Sequence, residues 1–301
     1  MIAAELINCK YRGDSVKSAI TLAAAATFVL GANQAGAATI LDSGTTAYYG
    51  YDNKGAADVI GGSTYDISQA TITRAGNALT IVINTSFAGQ AGVSASWGKD
   101  GLATNPTTGK GIGYGDVFLS DTWNAAGTST NHYATDDATK GTVWDYGFAL
   151  NNRWSNSGGT FKLYALNGAT NAQNILNSDS YISCGTACNY RENEEVAVNT
   201  KSSTVKDTGL GGSWTVSQNK NTPSLGTITF KIDLSGSELL DYSSFAMHWG
   251  ETCQNDVIEG LAMHVHVPLP GTAALLLLGL GALGIARRRG GRALPPGAAA
   301  A

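Results

Sequence analysis

Two short stretches alternate between apolar and polar side chains, and they constrain the fold more than any other feature. Along residues 79–85, Leu79, Ile81 and Ile83 share one face, with Thr80, Val82 and Asn84 on the other. Along 227–233, Ile228, Phe230 and Ile232 share a face opposite Thr229, Lys231 and Asp233. A period of two belongs to a β-strand with one face buried. Residues 71–73 lead into the first stretch through a turn containing Gly76 and Asn77, which predicts a hairpin. Residues 117–120, 143–150, 161–166, 245–249 and 258–266 are further strand candidates, short, rich in aromatic or β-branched residues, and bounded by Gly, Asn or Asp. Residues 235–241 can make one helical turn. With 38 glycines in 301 residues and only 14% charged side chains, the composition favours many strands joined by polar turns. The expectation is all-β: a jelly-roll-like β-sandwich forming one domain of about 230 residues.

The two ends read differently from this middle. At the N-terminus, Lys10, Arg12 and Lys17 precede an apolar run at 19–31, and Ala35-Gly36-Ala37 has the small-residue pattern of a cleavage site. Residues 1–37 are therefore expected to be an export signal, with the mature chain starting at Ala38. Near the C-terminus, VPLPGTAALLLLGLGALGIARRR occupies 267–289. Pro268 and Pro270 hold the backbone extended and keep a helix from starting earlier. The 18 residues 269–286 are uncharged; as a helix they span roughly 27 Å, enough for a bilayer core of about 30 Å. Arg287, Arg288 and Arg289 favour the cytoplasmic side, which leaves 38–266 outside and 290–301 as a cytoplasmic tail.

Val267, Pro268, Pro270, the Leu/Gly/Ala-rich run and the arginines resemble the PEP-CTERM sorting signal, which exosortase systems of Gram-negative bacteria recognise on exported proteins. Leu269 stands where that motif usually has glutamate, and the tail after Arg289 is longer than usual. The hairpin region 67–87, the segment GDVFLS (115–120) and FAMHWGETCQNDVIEG (245–260) are also similar to exosortase-sorted surface proteins. The resemblance implies an exosortase-type processing enzyme as partner, membrane association through the C-terminal helix, a cell-surface or extracellular-matrix destination and a β-sandwich. It carries no catalytic residues.

The formal charge of −4 hides an asymmetry. Seven of the 19 basic residues but only two of the 23 acidic ones lie in the two ends, which leaves the middle at −9. Nucleic acid is thereby excluded as an expected partner. Oxygen-rich loops make calcium the expected cation, with Asp116 and Asp256 as candidate ligands. After signal removal Cys184, Cys188 and Cys253 remain, and an oxidising compartment predicts a disulfide among them. A zinc site built from the three with His248 is the sharper alternative. Trp123 and Trp154, in Asn- and Ser-rich loops, are the tryptophans expected to be exposed and able to stack on sugar rings. No Gly-x-Ser-x-Gly motif is present and the four histidines are scattered. The sequence thus points to a non-enzymatic, structural or adhesive protein of an exopolysaccharide matrix. The alternatives are a carbohydrate-binding module, calcium-dependent or not, and an exported glycosidase, whose two facing carboxylates no motif would reveal.

Overall fold

The hairpin expected around Gly76 forms as β3 (Ile67–Ala75) and β4 (Ala78–Thr85), joined by Gly76 and Asn77. Gly76 has φ of +58°, a left-handed conformation that a two-residue hairpin turn requires and that glycine adopts without a Cβ penalty. Within the hairpin, Ile72 pairs with Ile81 and Ala70 with Ile83, so the apolar sides of both strands coincide. A computed structural model of the chain describes residues 36–42, 47–48, 64–92, 95–96, 102–103, 111–128, 135–182, 190–218, 226–263 and 265. All of these fall in one compact unit, Gln34–Pro268.

The other elements, in chain order, are β1 (Gly36–Leu41), β2 (Ala47–Tyr48), β5 (Ala95–Ser96), β6 (Leu102–Ala103), β7 (Val117–Ser120), β8 (Tyr146–Leu150), β9 (Gly158–Leu166), α1 (Asn171–Asn174), β10 (Ile175–Asn177), β11 (Glu195–Val198), β12 (Val205–Ser217), β13 (Thr227–Asp233), β14 (Phe245–Gly250) and β15 (Val257–Ala262). Single 3-10 turns occur at Ser178–Ser180 and Glu238–Leu240, the latter inside the stretch expected to make one helical turn. Eleven strands form one antiparallel sheet in the order β1-β3-β4-β13-β12-β9-β8-β7-β14-β15-β2. The all-β expectation holds. Among the described residues the main ladder is unbroken and does not split into two facing sheets; it curls until β15 lies beside β1 and β3, nearly closing a barrel. A register irregularity between Asp207 and Gly211, where β12 meets β9, adds local twist of the kind that bends a sheet towards closure.

The inward faces of these strands build a single core. Phe148 stacks on Phe161 at 4.4 Å between ring centroids, Trp214 on Phe230 at 6.4 Å, and Tyr114 meets Trp214 edge-on at 5.5 Å. Each fully buried aromatic or branched side chain contributes about 1.5–3 kcal/mol relative to exposure. Arg74, almost wholly buried, ties β3 to the 3-10 turn at Glu238–Leu240 by donating to the carbonyls of Leu240 and Tyr242.

β1 begins at Gly36, two residues before the expected mature start, so cleavage there would leave residues 38–41 to pair with β3. The remainder of the export signal, the segment 267–289 and the tail lie outside the described residues, among which no helix is long and apolar enough to cross a membrane.

Candidate functional site

β14 has the sequence FAMHWG, and every one of its residues is buried. Phe245, Met247 and Trp249 face the main core, so alternation turns Ala246 and His248 to the other side of the sheet. Neighbouring strands follow the same rule: Phe118 of β7 leaves the main core, and Glu259 of β15 sits directly across the ladder from His248. An apolar face on the outside of a sheet needs a cover, and α1, β10 and β11 supply it. β10 and β11 pair as a two-stranded ribbon over this face. Phe118, Trp144, Leu166, Ile175, Val198, Val205 and Ala246 form a second apolar cluster there.

Two features seat the ribbon. The first is Gly147 on β8, where a Cβ would stand 2.4 Å from Val198 Cγ2, so only glycine lets β11 approach this closely. The second is Asp116, whose backbone N–H donates to the Val196 carbonyl at 2.8 Å. Its carboxylate accepts from Val198 N (2.8 Å), Leu150 N (3.0 Å) and the Arg153 guanidinium (3.1 Å). Burial raises the Asp116 carboxyl above its ordinary value, while Arg153 and the two N–H donors act against that rise.

Between ribbon and sheet lies a closed polar cluster. His248 Nδ1 is 2.8 Å from Glu259 Oε2, and His248 Nε2 is 2.9 Å from the Glu195 carbonyl oxygen. A carbonyl can only accept, so Nε2 carries the proton and the neutral ring has its lone pair on Nδ1. Glu195 Oε1 accepts from Asn171 Nδ2 (2.9 Å) and Trp144 Nε1 (3.3 Å). Glu195 Oε2 and Glu259 Oε1 have no hydrogen-bond partner, although both side chains are only 1% exposed. The Trp144 and Phe118 rings pack against the imidazole at centroid distances of 5.9 and 6.0 Å.

More charge lies around this centre. Burial, then repulsion from Glu195, raises Glu194 well above the usual carboxylate range, with Arg191 opposing. Burial, then the charge of Glu259, pushes Asp136 up to about 9. Burial raises Glu195 to about 7 against the pull of His248. Burial lowers His248 against the pull of Glu195, and burial with Glu195 repulsion raises Glu259 well above its ordinary value. Both partners of the His248–Glu259 pair therefore favour their uncharged forms, with the Glu259 carboxyl donating to Nδ1. The ligand atoms of Glu195, His248 and Glu259 all lie within 4.8 Å of one another, a set able to hold a metal ion.

Two of the residues singled out from sequence, Asp116 and Asp256, hold backbone N–H groups. Asp256 does not face an open loop. The segment between β14 and β15 is buried throughout, and the Asp256 carboxylate accepts from Ile67 N at 2.7 Å and Val257 N at 2.9 Å. Asp116 thus fastens backbone N–H groups of β8 and β11, and Asp256 those of β3 and β15. Cys253 is free and fully buried in the main core. Cys184 and Cys188 lie outside the described residues. Trp154 is half-buried and donates to the Gly111 carbonyl at 2.8 Å, and Trp123 packs against the second apolar cluster. Glu195 and Glu259 carry no sequence motif. Their one signal was a glutamate among apolar residues in EVAV and VIEGLA, the kind of charge that a buried strand holds only with a partner.

The residues 266–290 match a family model, the PEP-CTERM protein-sorting motif. The chain carries a PEP-CTERM sorting motif. The match includes Val267, Pro268, Pro270 and the arginine block, and spans Leu269 despite the departure from glutamate. The PEP-CTERM motif marks an exported protein that is processed by an exosortase and associates with the membrane through its C-terminal region. No curated protein and no solved structure matches the chain.

Proposed function

We propose that residues 38–266 are a non-enzymatic surface domain, structural or adhesive, which an exosortase of a Gram-negative bacterium releases into an exopolysaccharide matrix. The PEP-CTERM motif carries this reading. The architecture supports it: the convergent carboxylates Glu195 and Glu259 are sealed beneath the ribbon, where no polymeric substrate reaches them, so a glycosidase role finds no support in this cluster. The test is the mass of the mature C-terminus, isolated from host cells with the exosortase intact or deleted. Loss of the residues beyond about Pro268 only in the intact strain, together with recovery of the protein in the matrix fraction, is the expected result. A chain retaining 271–286 in both strains refutes exosortase release, and loss of the protein without change in cell adhesion or matrix cohesion refutes the structural role.

One observation favours carbohydrate binding as the second reading. A surface groove of about 360 Å³ lies over β8 and β9, lined by Asn151, Thr160, Lys162, Tyr164 and Thr200. An aromatic ring among hydroxyl, amide and amine groups is the chemistry that stacks on a sugar and orients it. Binding of host polysaccharide that disappears in Tyr164→Ala supports this second role; equal binding by that variant rejects the groove as its seat.

A further inference from the structure

We propose that Glu195, His248 and Glu259 bind a divalent transition-metal ion of the Zn2+ class, and that this ion fastens the β10–β11 ribbon to the β14–β15 hairpin. Three observations converge on it. His248 donates Nε2–H to a backbone carbonyl, the outer hydrogen bond that fixes the tautomer of a metal-ligating histidine and leaves Nδ1 as the donor to the ion. Nδ1 faces Glu259 across the β14–β15 ladder. Each glutamate keeps one buried oxygen without a partner, Oε2 of Glu195 and Oε1 of Glu259. A hydrogen-bonded His–Glu pair alone leaves both of these oxygens unsatisfied, whereas an ion held among the three side chains, whose ligand atoms lie within 4.8 Å of one another, offers them a partner.

The chemistry selects the class of ion. Two carboxylates and a neutral imidazole carry two negative charges, which one divalent cation neutralises in a place where uncompensated charge is costly. One nitrogen and two oxygens suit zinc or its neighbours, while calcium takes about six to eight oxygens. Donors around a tetrahedral zinc stand about 3.3 Å apart, given bonds of roughly 2.0–2.2 Å. The present separations of at most 4.8 Å reach that by side-chain adjustment, with the fourth position left to a water. Glu195 comes from the ribbon and the other two from the hairpin, so the ion joins elements otherwise tied by hydrogen bonds and packing.

The test uses the full chain in detergent, stripped with a chelator, supplied separately with Zn2+, Mn2+, Ca2+ or Mg2+, desalted and assayed for metal. The expected result is one Zn2+ per chain, a Tm raised by several degrees, and slower proteolysis within 171–198. Glu195→Gln and Glu259→Gln should lose the ion, and Cys184→Ser/Cys188→Ser should keep it. The proposal is overturned if the wild-type chain retains no Zn2+, if Ca2+ is retained in preference, or if the ion follows the cysteines. Should the glutamine variants fail to fold, the Co2+-loaded wild-type chain decides: ligand-field bands without sulfur charge transfer support the site, and a thiolate-to-cobalt band refutes it.

Discussion

Replacing Asp116 with alanine should be among the most damaging single substitutions in the domain. The change leaves the Arg153 guanidinium, whose side chain is 9% exposed, without its ionic partner. It also orphans the N–H groups of Leu150 and Val198 at the junction of β7, β8 and the ribbon. Removing one member of a buried pair costs about 3–5 kcal/mol, and a buried N–H left unsatisfied about 1–3 kcal/mol. These losses share one site and do not add, so we expect about 4 kcal/mol, taken from the middle of the pair-breaking range. For a domain of this size each kcal/mol moves Tm by about 2–4 °C, which gives a fall of roughly 8–16 °C. The assay is thermal unfolding of the purified chain followed by circular dichroism, with and without calcium. Asp116→Ala/Arg153→Met should recover part of the loss, because the buried cation is gone. A fall of less than about 2 °C would refute the reasoning, and a fall seen only with calcium present would restore Asp116 as a calcium ligand.

Three further outcomes follow from the same packing. Gly147→Val should cost about 1–3 kcal/mol by overpacking and expose the ribbon to protease, because its Cβ alone reaches within 2.4 Å of Val198; an unchanged cleavage pattern in limited proteolysis counts against the close seat. Asp136→Asn, measured in chelator, should leave stability unchanged near pH 3.5 and raise Tm at pH 8. The folded protein holds the Asp136 proton up to about 9 against an ordinary 3.8, so the wild-type chain loses stability as pH rises through that window; equal Tm values at pH 8 contradict it. Cys253, whose thiol burial pushes well above its ordinary range, should resist iodoacetamide in the folded chain and react fully in denaturant, as read by peptide mass.

The parts of the fold legible in sequence were those where one face is wet. β4 and β13 alternate because their outer faces meet water, and Gly76-Asn77 marks its turn by local chemistry alone. β12 was not legible: Gly209, Gly211 and Gly212 interrupt any period, and its pairing with β9 comes from the whole sheet. β7, β14 and β15 were found as strands, but burial on both faces hid which side each residue took. The site suffered most from this. His248 and Glu259 meet through the register of one hairpin, and Glu195 arrives from 53 residues away. Asp116 and Asp256 show the converse difficulty. A carboxylate that fastens backbone N–H groups and one that binds calcium are the same acceptor, and only burial tells them apart.

The buried loop between β14 and β15 also sets the order in which this molecule can be completed. Asp256 accepts from Ile67, 189 residues earlier, and Thr252 accepts from Gly113, 139 residues earlier. A chain delivered N-terminus first through an export pore therefore lacks these two acceptors until residues 252–256 have emerged, and contacts so distant in sequence form late. The sorting motif begins at 266, almost immediately behind them. The fastenings of Ile67 and Gly113 therefore close only as the end of the domain, and the motif directly behind it, emerges.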